Sequence, residues 1–107
     1  MNITNTGKLT PKMSAYLIAE ITVLDPNGYE EYRARVGTSL SIYGAKFLVR
    51  GGTIEIIEGD WSPKRLVMCE FTDMERIHQW YSSEEYQNIK KLREDTAIFN
   101  VVAVTGL

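Results

Sequence analysis

The chain has 107 residues, 44% apolar and 24% charged, with 12 Lys and Arg against 14 Asp and Glu and a formal charge of −2. That is one domain's length, enough to bury roughly 65% of the unfolded surface, with no general basic field to draw nucleic acid or an anionic membrane. Cys69 is the single cysteine, which excludes a disulfide framework and paired metal ligands and suits a cytoplasmic setting.

Residues 1–13 (MNITNTGKLTPKM) are polar and turn-prone and lack the apolar stretch of a signal peptide. They read as a disordered leader to a single domain at 14–107, with Met13 a second candidate start. No apolar run approaches the roughly 20 residues of a membrane span.

The first expected strand is Ala15 to Leu24, where Ala15, Leu17, Ala19, Ile21 and Val23 alternate with the mixed set Tyr16, Ile18, Glu20 and Thr22. Period-two alternation gives a sheet one core face and one wetter face. Asp25-Pro26 opens a helix, since Asp accepts from orphan first-turn amides and Pro has no amide to leave unpaired. Tyr29, Tyr32, Val36, Leu40 and Tyr43 share one face of it, and Gly44 ends it in a left-handed cap. Lys46 to Arg50 and Thr53 to Glu58 read as one strand broken by a bulge or bend at Gly51-Gly52. After the loop Gly59 to Lys64, Arg65 to Phe71 is the next strand, with Val67, Cys69 and Phe71 on one face and Leu66, Met68 and Glu70 on the other. Thr72-x-x-Glu75 and Ser82-x-x-Glu85 are capping-box patterns for two further helical segments, and Phe99 to Thr105 is a last strand.

This βαββαβ order is that of a ferredoxin-like α+β fold with a four-stranded antiparallel sheet. Two right-handed crossovers are expected to bring the first and third strands side by side, running parallel, with both helical layers on one face. The other face would carry Tyr16, Ile18, Glu20, Leu48, Arg50, Leu66, Met68 and Glu70. It is too apolar to stay bare, so a homodimer packed sheet to sheet is expected.

Asp25-Pro26 with Tyr29-Glu30-Glu31-Tyr32, then Tyr43 through Gly52 (YGAKFLVRGG), Glu58-Gly59-Asp60-Trp61, Glu70-Phe71 and Trp80 through Tyr86 (WYSSEEY) carry a resemblance. Over roughly Ser14 to Gly106 the chain is similar to the family called domain of unknown function 1330. It departs from the pattern at Ala45, where a second glycine is usual, and at Glu84, where Pro is usual. The resemblance implies the dimeric α/β-barrel superfamily, and so a homodimer. Relatives there include cofactor-free monooxygenases, lactone isomerases, haem enzymes and regulatory ligand-binding domains.

Glu20 and Glu70 are the candidate catalytic pair: two carboxylates brought near each other on adjacent strands would raise one pKa and supply a general acid or base. The plainer reading is that Arg50, Arg65 or the partner subunit neutralises them. Arg50 is a candidate clamp for a substrate carboxylate, or else the arm of an interface salt bridge. Asp60 and Trp61 sit on a loop, where Trp61 either lines a pocket mouth or anchors in the partner. Tyr16 belongs to an aromatic set, with Tyr29, Tyr32, Tyr43, Trp80, Tyr81 and Tyr86, that packs the core or lines an apolar pocket. Arg93 is placed to cap a carboxylate near the buried side of its helix.

Cys69 reads as an inert core thiol. His78 is the single histidine, a proton shuttle or an exposed helix residue, and without companions at ligand spacing it supports no metal site. No phosphate loop or nucleophile elbow occurs, and no cofactor is called for. Two functions follow: a small homodimer taking an acidic or aromatic metabolite as a cofactor-free isomerase or monooxygenase, or a non-catalytic ligand-binding or assembly module.

Overall fold

The computed structural model describes residues 13–107, so the expected leader at 1–13 lies, save for Met13, outside the described residues. β1 (Ala15–Val23) is followed by α1 (Pro26–Ile42), whose Asp25 cap is extended and accepts from the Gly28 amide at 3.2 Å. After Gly44, at φ 75°, the chain turns into β2 (Lys46–Arg50). β3 (Leu66–Phe71), α2 (Met74–Ser82), α3 (Glu84–Lys90), a 3-10 turn (Lys91–Arg93) and β4 (Ala97–Thr105) complete it. Among the described residues no helix is long and apolar enough to cross a membrane.

The sheet order is β2-β3-β1-β4, and every neighbouring pair is antiparallel. The first and third strands are indeed central neighbours, but they do not run parallel. The crossover through α1 returns the chain parallel to β1 as β2, two positions away, and β3 then reverses into the gap between them.

Four local expectations are corrected. Residues 53–58 pair with nothing in the sheet: Gly51, at φ 76°, turns the chain out, and Ile57 stands 90% exposed. The bulge lies earlier, where Phe47 faces Cys69 and Val49 faces Met68, leaving Leu48 as the extra residue. The caps fall one residue later than the capping-box patterns. Asp73 accepts from the Arg76 amide at 2.9 Å, and Ser83 from Tyr86 at 3.1 Å, while Ser82 donates back to His78 within α2. β4 starts at Ala97, two residues early, because its pairing extends to Val23 of β1.

Both helical layers cover one face, burying Tyr29, Tyr32, Val36 and Leu40 from α1, Ile77 and Trp80 from α2 and Tyr86 from α3 against Ala15, Ala19, Ile21, Cys69 and Phe71. Trp80 is the centre of this layer, its ring 4.0 Å from that of Tyr86 and 5.9 Å from that of Phe71. Its indole N–H donates to the Ser39 hydroxyl at 3.0 Å, which donates to the Val36 carbonyl at 2.7 Å. A buried donor without its acceptor costs about 1–3 kcal/mol. Ser39→Ala should therefore lower the urea unfolding free energy by about 1–3 kcal/mol with the circular dichroism spectrum unchanged, and a loss below about 0.5 kcal/mol would remove this bond from the account of the core.

Candidate functional site

The two faces of the sheet carry different chemistry. On the covered face the alternation Arg65, Val67, Cys69, Phe71 continues below the helices, and β1 adds Leu17, Ala19 and Ile21. Between this floor and α1 lies a small cavity of about 50 Å³, walled by aromatic and aliphatic side chains. Tyr32 and Tyr86 meet hydroxyl to hydroxyl at 2.9 Å in its wall. Burial pushes both phenols above their ordinary range.

Arg33, Arg50 and Arg65 are its charged lining, and no Asp, Glu or His lines it. Arg33, Leu40, Phe47 and Arg50 also line a groove of about 620 Å³ between α1 and β2, so the cavity and the groove share a wall that carries two guanidinium groups.

Arg50 reaches this side through the Leu48 bulge. The extra residue shifts register by one, which moves Val49 to the open face beside Met68 and turns Arg50 under α1 opposite Val67. The expectation that Arg50 shares a face with Glu20 and Glu70 is therefore corrected. Arg50 donates to the Arg33 carbonyl at 2.8 Å, and its guanidinium lies 4.2 Å from the Phe47 ring centre.

On the open face the antiparallel register pairs Tyr16 with Glu70 and Glu20 with Leu66. The two carboxylates are thus four residues apart along β1, ~13 Å at the usual strand rise. The expected carboxylate pair does not form. Instead two separate polar clusters appear. Glu70 accepts from the Tyr16 hydroxyl at 3.1 Å and pairs with Lys46 at 3.3 Å, so Lys46 takes the place expected of Arg50 or Arg65. The hydrogen bond to Glu70 holds the Tyr16 phenol above its usual range. At the other end Glu20 accepts from the Trp61 indole at 3.0 Å and from Asn100 at 3.4 Å. Trp61, 62% exposed, thereby ties the outlying 51–65 connection back to the sheet. Asp60 is exposed next to it.

Between these clusters runs an apolar band: Val49, Met68, Ile18 and Val102 in one row, with Leu66 and Val104 beside it.

Arg93 does not cap a carboxylate. Its guanidinium stacks 3.7 Å from the Phe99 ring centre, with Nη1 buried and lacking a hydrogen-bond partner. His78 is exposed on α2 and does not line the cavity. Among the described residues no group of three or more His, Cys, Asp or Glu could hold a metal ion. Arg33 and Arg65 were not singled out as site residues from the sequence, although the period-two phase of Arg65 with Val67 and Cys69 carried the signal for one of them.

The chain belongs to the family described as Domain of unknown function (DUF1330), whose model matches residues 14–107. No curated protein matches it. Among solved structures, the RPA0582 protein of unknown function from Rhodopseudomonas palustris is similar at TM-score 0.74 and 12% identity, covering 98% of this chain and 96% of that one. SnoaB, a cofactor-independent oxygenase from Streptomyces nogalater, follows at TM-score 0.62 and 14% identity, covering 89% and 94%. A dimeric ferredoxin-like protein of unknown function from Thermobifida fusca has TM-score 0.54 and 10% identity, covering 89% and 92%. At these identities the likeness establishes the ferredoxin-like fold.

Cys69 is buried in the cavity floor, and burial raises its thiol to about 11 against an opposing pull from Arg50. The folded chain therefore holds a proton that the unfolded chain releases above pH 9.0. That stabilisation is complete below pH 9.0 and is lost as pH rises toward about 11. The urea midpoint of the wild type should fall from pH 9 to pH 10, where Tyr32 and Tyr86 begin to add to the same trend, and Cys69→Ala should remove the thiol's share of that fall; equal slopes in the two proteins would contradict the assignment.

Proposed function

We propose that this chain is a cytoplasmic homodimer that binds a small acidic or aromatic metabolite in the cavity between sheet and helices. The observation that carries the reading is the composition of that cavity: aromatic and aliphatic walls, three arginines, and no carboxylate or imidazole in the lining. Apolar walls with a few convergent polar groups are the usual make-up of a small-molecule site. A volume of about 50 Å³, against the roughly 150 Å³ of a cavity that binds benzene, takes only part of such a ligand, and the rest would continue into the groove along α1 and β2.

Binding is favoured over a cofactor-free isomerase or monooxygenase that uses Glu20 or Glu70 as acid or base. Both carboxylates lie on the open face, each already engaged, Glu70 with Tyr16 and Lys46 and Glu20 with Trp61 and Asn100. In this reading they, with Tyr16 and Trp61, form the polar margin of the dimer seam, and Arg50 acts from the other side as part of the ligand site.

The homodimer reading is supported by the anatomy of the open face. An apolar centre bounded by polar clusters at both ends is how protein interfaces are built. Val102, 60% exposed in the single chain, carries that row onto β4 beside Ile18.

Native mass spectrometry of the freshly purified full chain tests both halves of the proposal. A dimer carrying an additional small mass is expected, and a monomer would sink the sheet-to-sheet assembly. Val102→Glu, which leaves the protomer core untouched, should weaken the dimer by about 2–5 kcal/mol, so that it elutes as a monomer at micromolar concentration.

A further inference from the structure

We infer that Arg65 is the residue that reads the anionic end of the ligand, and that the ligand class is a compact aromatic or branched aliphatic monocarboxylate. This rests on the cavity being the ligand site.

Three guanidinium groups line the cavity, and they differ in what they already hold. Arg33 is paired with Glu30 at 3.3 Å. Arg50 spends one N–H on the Arg33 carbonyl and packs on Phe47. Arg65 Nε is buried with no hydrogen-bond partner, and no carboxylate among the described residues pairs with this side chain. A buried charged donor left unmatched is unfavourable, so an unmatched one at a cavity wall is a place for an incoming acceptor.

The backbone is shaped around this side chain. The Arg65 guanidinium lies against Gly51, where a Cβ would collide with it, and Gly51 also sits at φ 76°. Glycine there satisfies the turn out of β2 and leaves the guanidinium its place. The head is thus held at the end of β3, where Arg65 O accepts from Ile21 N at 2.9 Å.

Guanidinium geometry matches a carboxylate through two parallel N–H bonds. A single uncommitted fork beside apolar walls suits a monoanion with a hydrophobic body.

The test compares benzoate with benzamide, which has the same shape and no charge, by calorimetric titration of the full chain. Benzoate is expected to bind about tenfold more tightly than benzamide, as a charge-assisted bond implies. Arg65→Gln should reduce that preference to below about twofold, and Arg65→Lys should restore part of it. Should Arg65→Gln fail to fold, Gly51→Ala, which displaces the guanidinium, should lose the benzoate preference in the same way. Equal affinity for both compounds in the wild type would overturn the carboxylate class while leaving the cavity as a ligand site. A benzoate preference that survives Arg65→Gln or Gly51→Ala would overturn the assignment to Arg65. Absence of binding by either compound at millimolar concentration would remove the cavity reading and this inference with it.

Discussion

The antiparallel register of β1 against β3 governs the distribution of chemistry over the molecule. Because Tyr16 faces Glu70 and Glu20 faces Leu66, the acidic residues of the open face are held at opposite ends of the central pair. Each then finds local partners, Lys46 and Tyr16 at one end, Trp61 and Asn100 at the other. Two carboxylates close together would have had to share a proton or a cation. Separated, they leave the middle of the face to Ile18, Met68 and Val102. The same register sets the covered face, where Leu17 meets Cys69 and Ala19 meets Val67, and so fixes the cavity floor.

A single extra residue in β2 then decides which side gains a cation. Were Leu48 paired in strict alternation rather than bulged, Arg50 would fall on the open face beside the acids. With it, Arg50 stands under α1, where its charge is near enough to Cys69 to oppose the effect of burial on the thiol. Arginine suits that position. Its planar group stacks on Phe47 while donating to a carbonyl, a combination that a lysine ammonium does not match. The chain's net charge of −2 conceals this local concentration of three arginines.

Much of the fold was legible because local rules and tertiary packing agree. Period-two alternation marked β1 and β3, Asp25-Pro26 and Gly44 bracketed α1, and the α1 face built on Tyr29, Tyr32, Val36 and Leu40 is the one that is buried. Elsewhere several local choices were equally good. Thr72 and Asp73, or Ser82 and Ser83, are comparable caps, and which is used depends on where the preceding strand or helix stops. Thr53 to Glu58 has strand-like composition but no neighbour to pair with, since Gly51 has already taken the chain off the sheet. The site was harder to read than the fold, because the Leu48 bulge and the Trp61–Glu20 bond depend on pairings between residues distant in the chain, which no local spacing encodes. Arg65 was readable in principle: it follows the alternation of β3, but a charge at a core-phase position at a strand end is ordinarily assigned to solvent.

The covered face also restricts what kind of chemistry the cavity can support. Its charged groups are arginines, and burial makes the Tyr32 and Tyr86 phenols and the Cys69 thiol harder to ionise. Such a lining can stabilise negative charge and hold an apolar body, but at neutral pH it offers no group ready to accept a proton. General base catalysis needs a residue whose pKa lies near the working pH and within reach of the substrate. The two glutamates that would be candidates are on the far side of the sheet. A cavity of this composition therefore favours recognition of a ligand that arrives already ionised, with the arginines matching the charge and the aromatic walls matching the body.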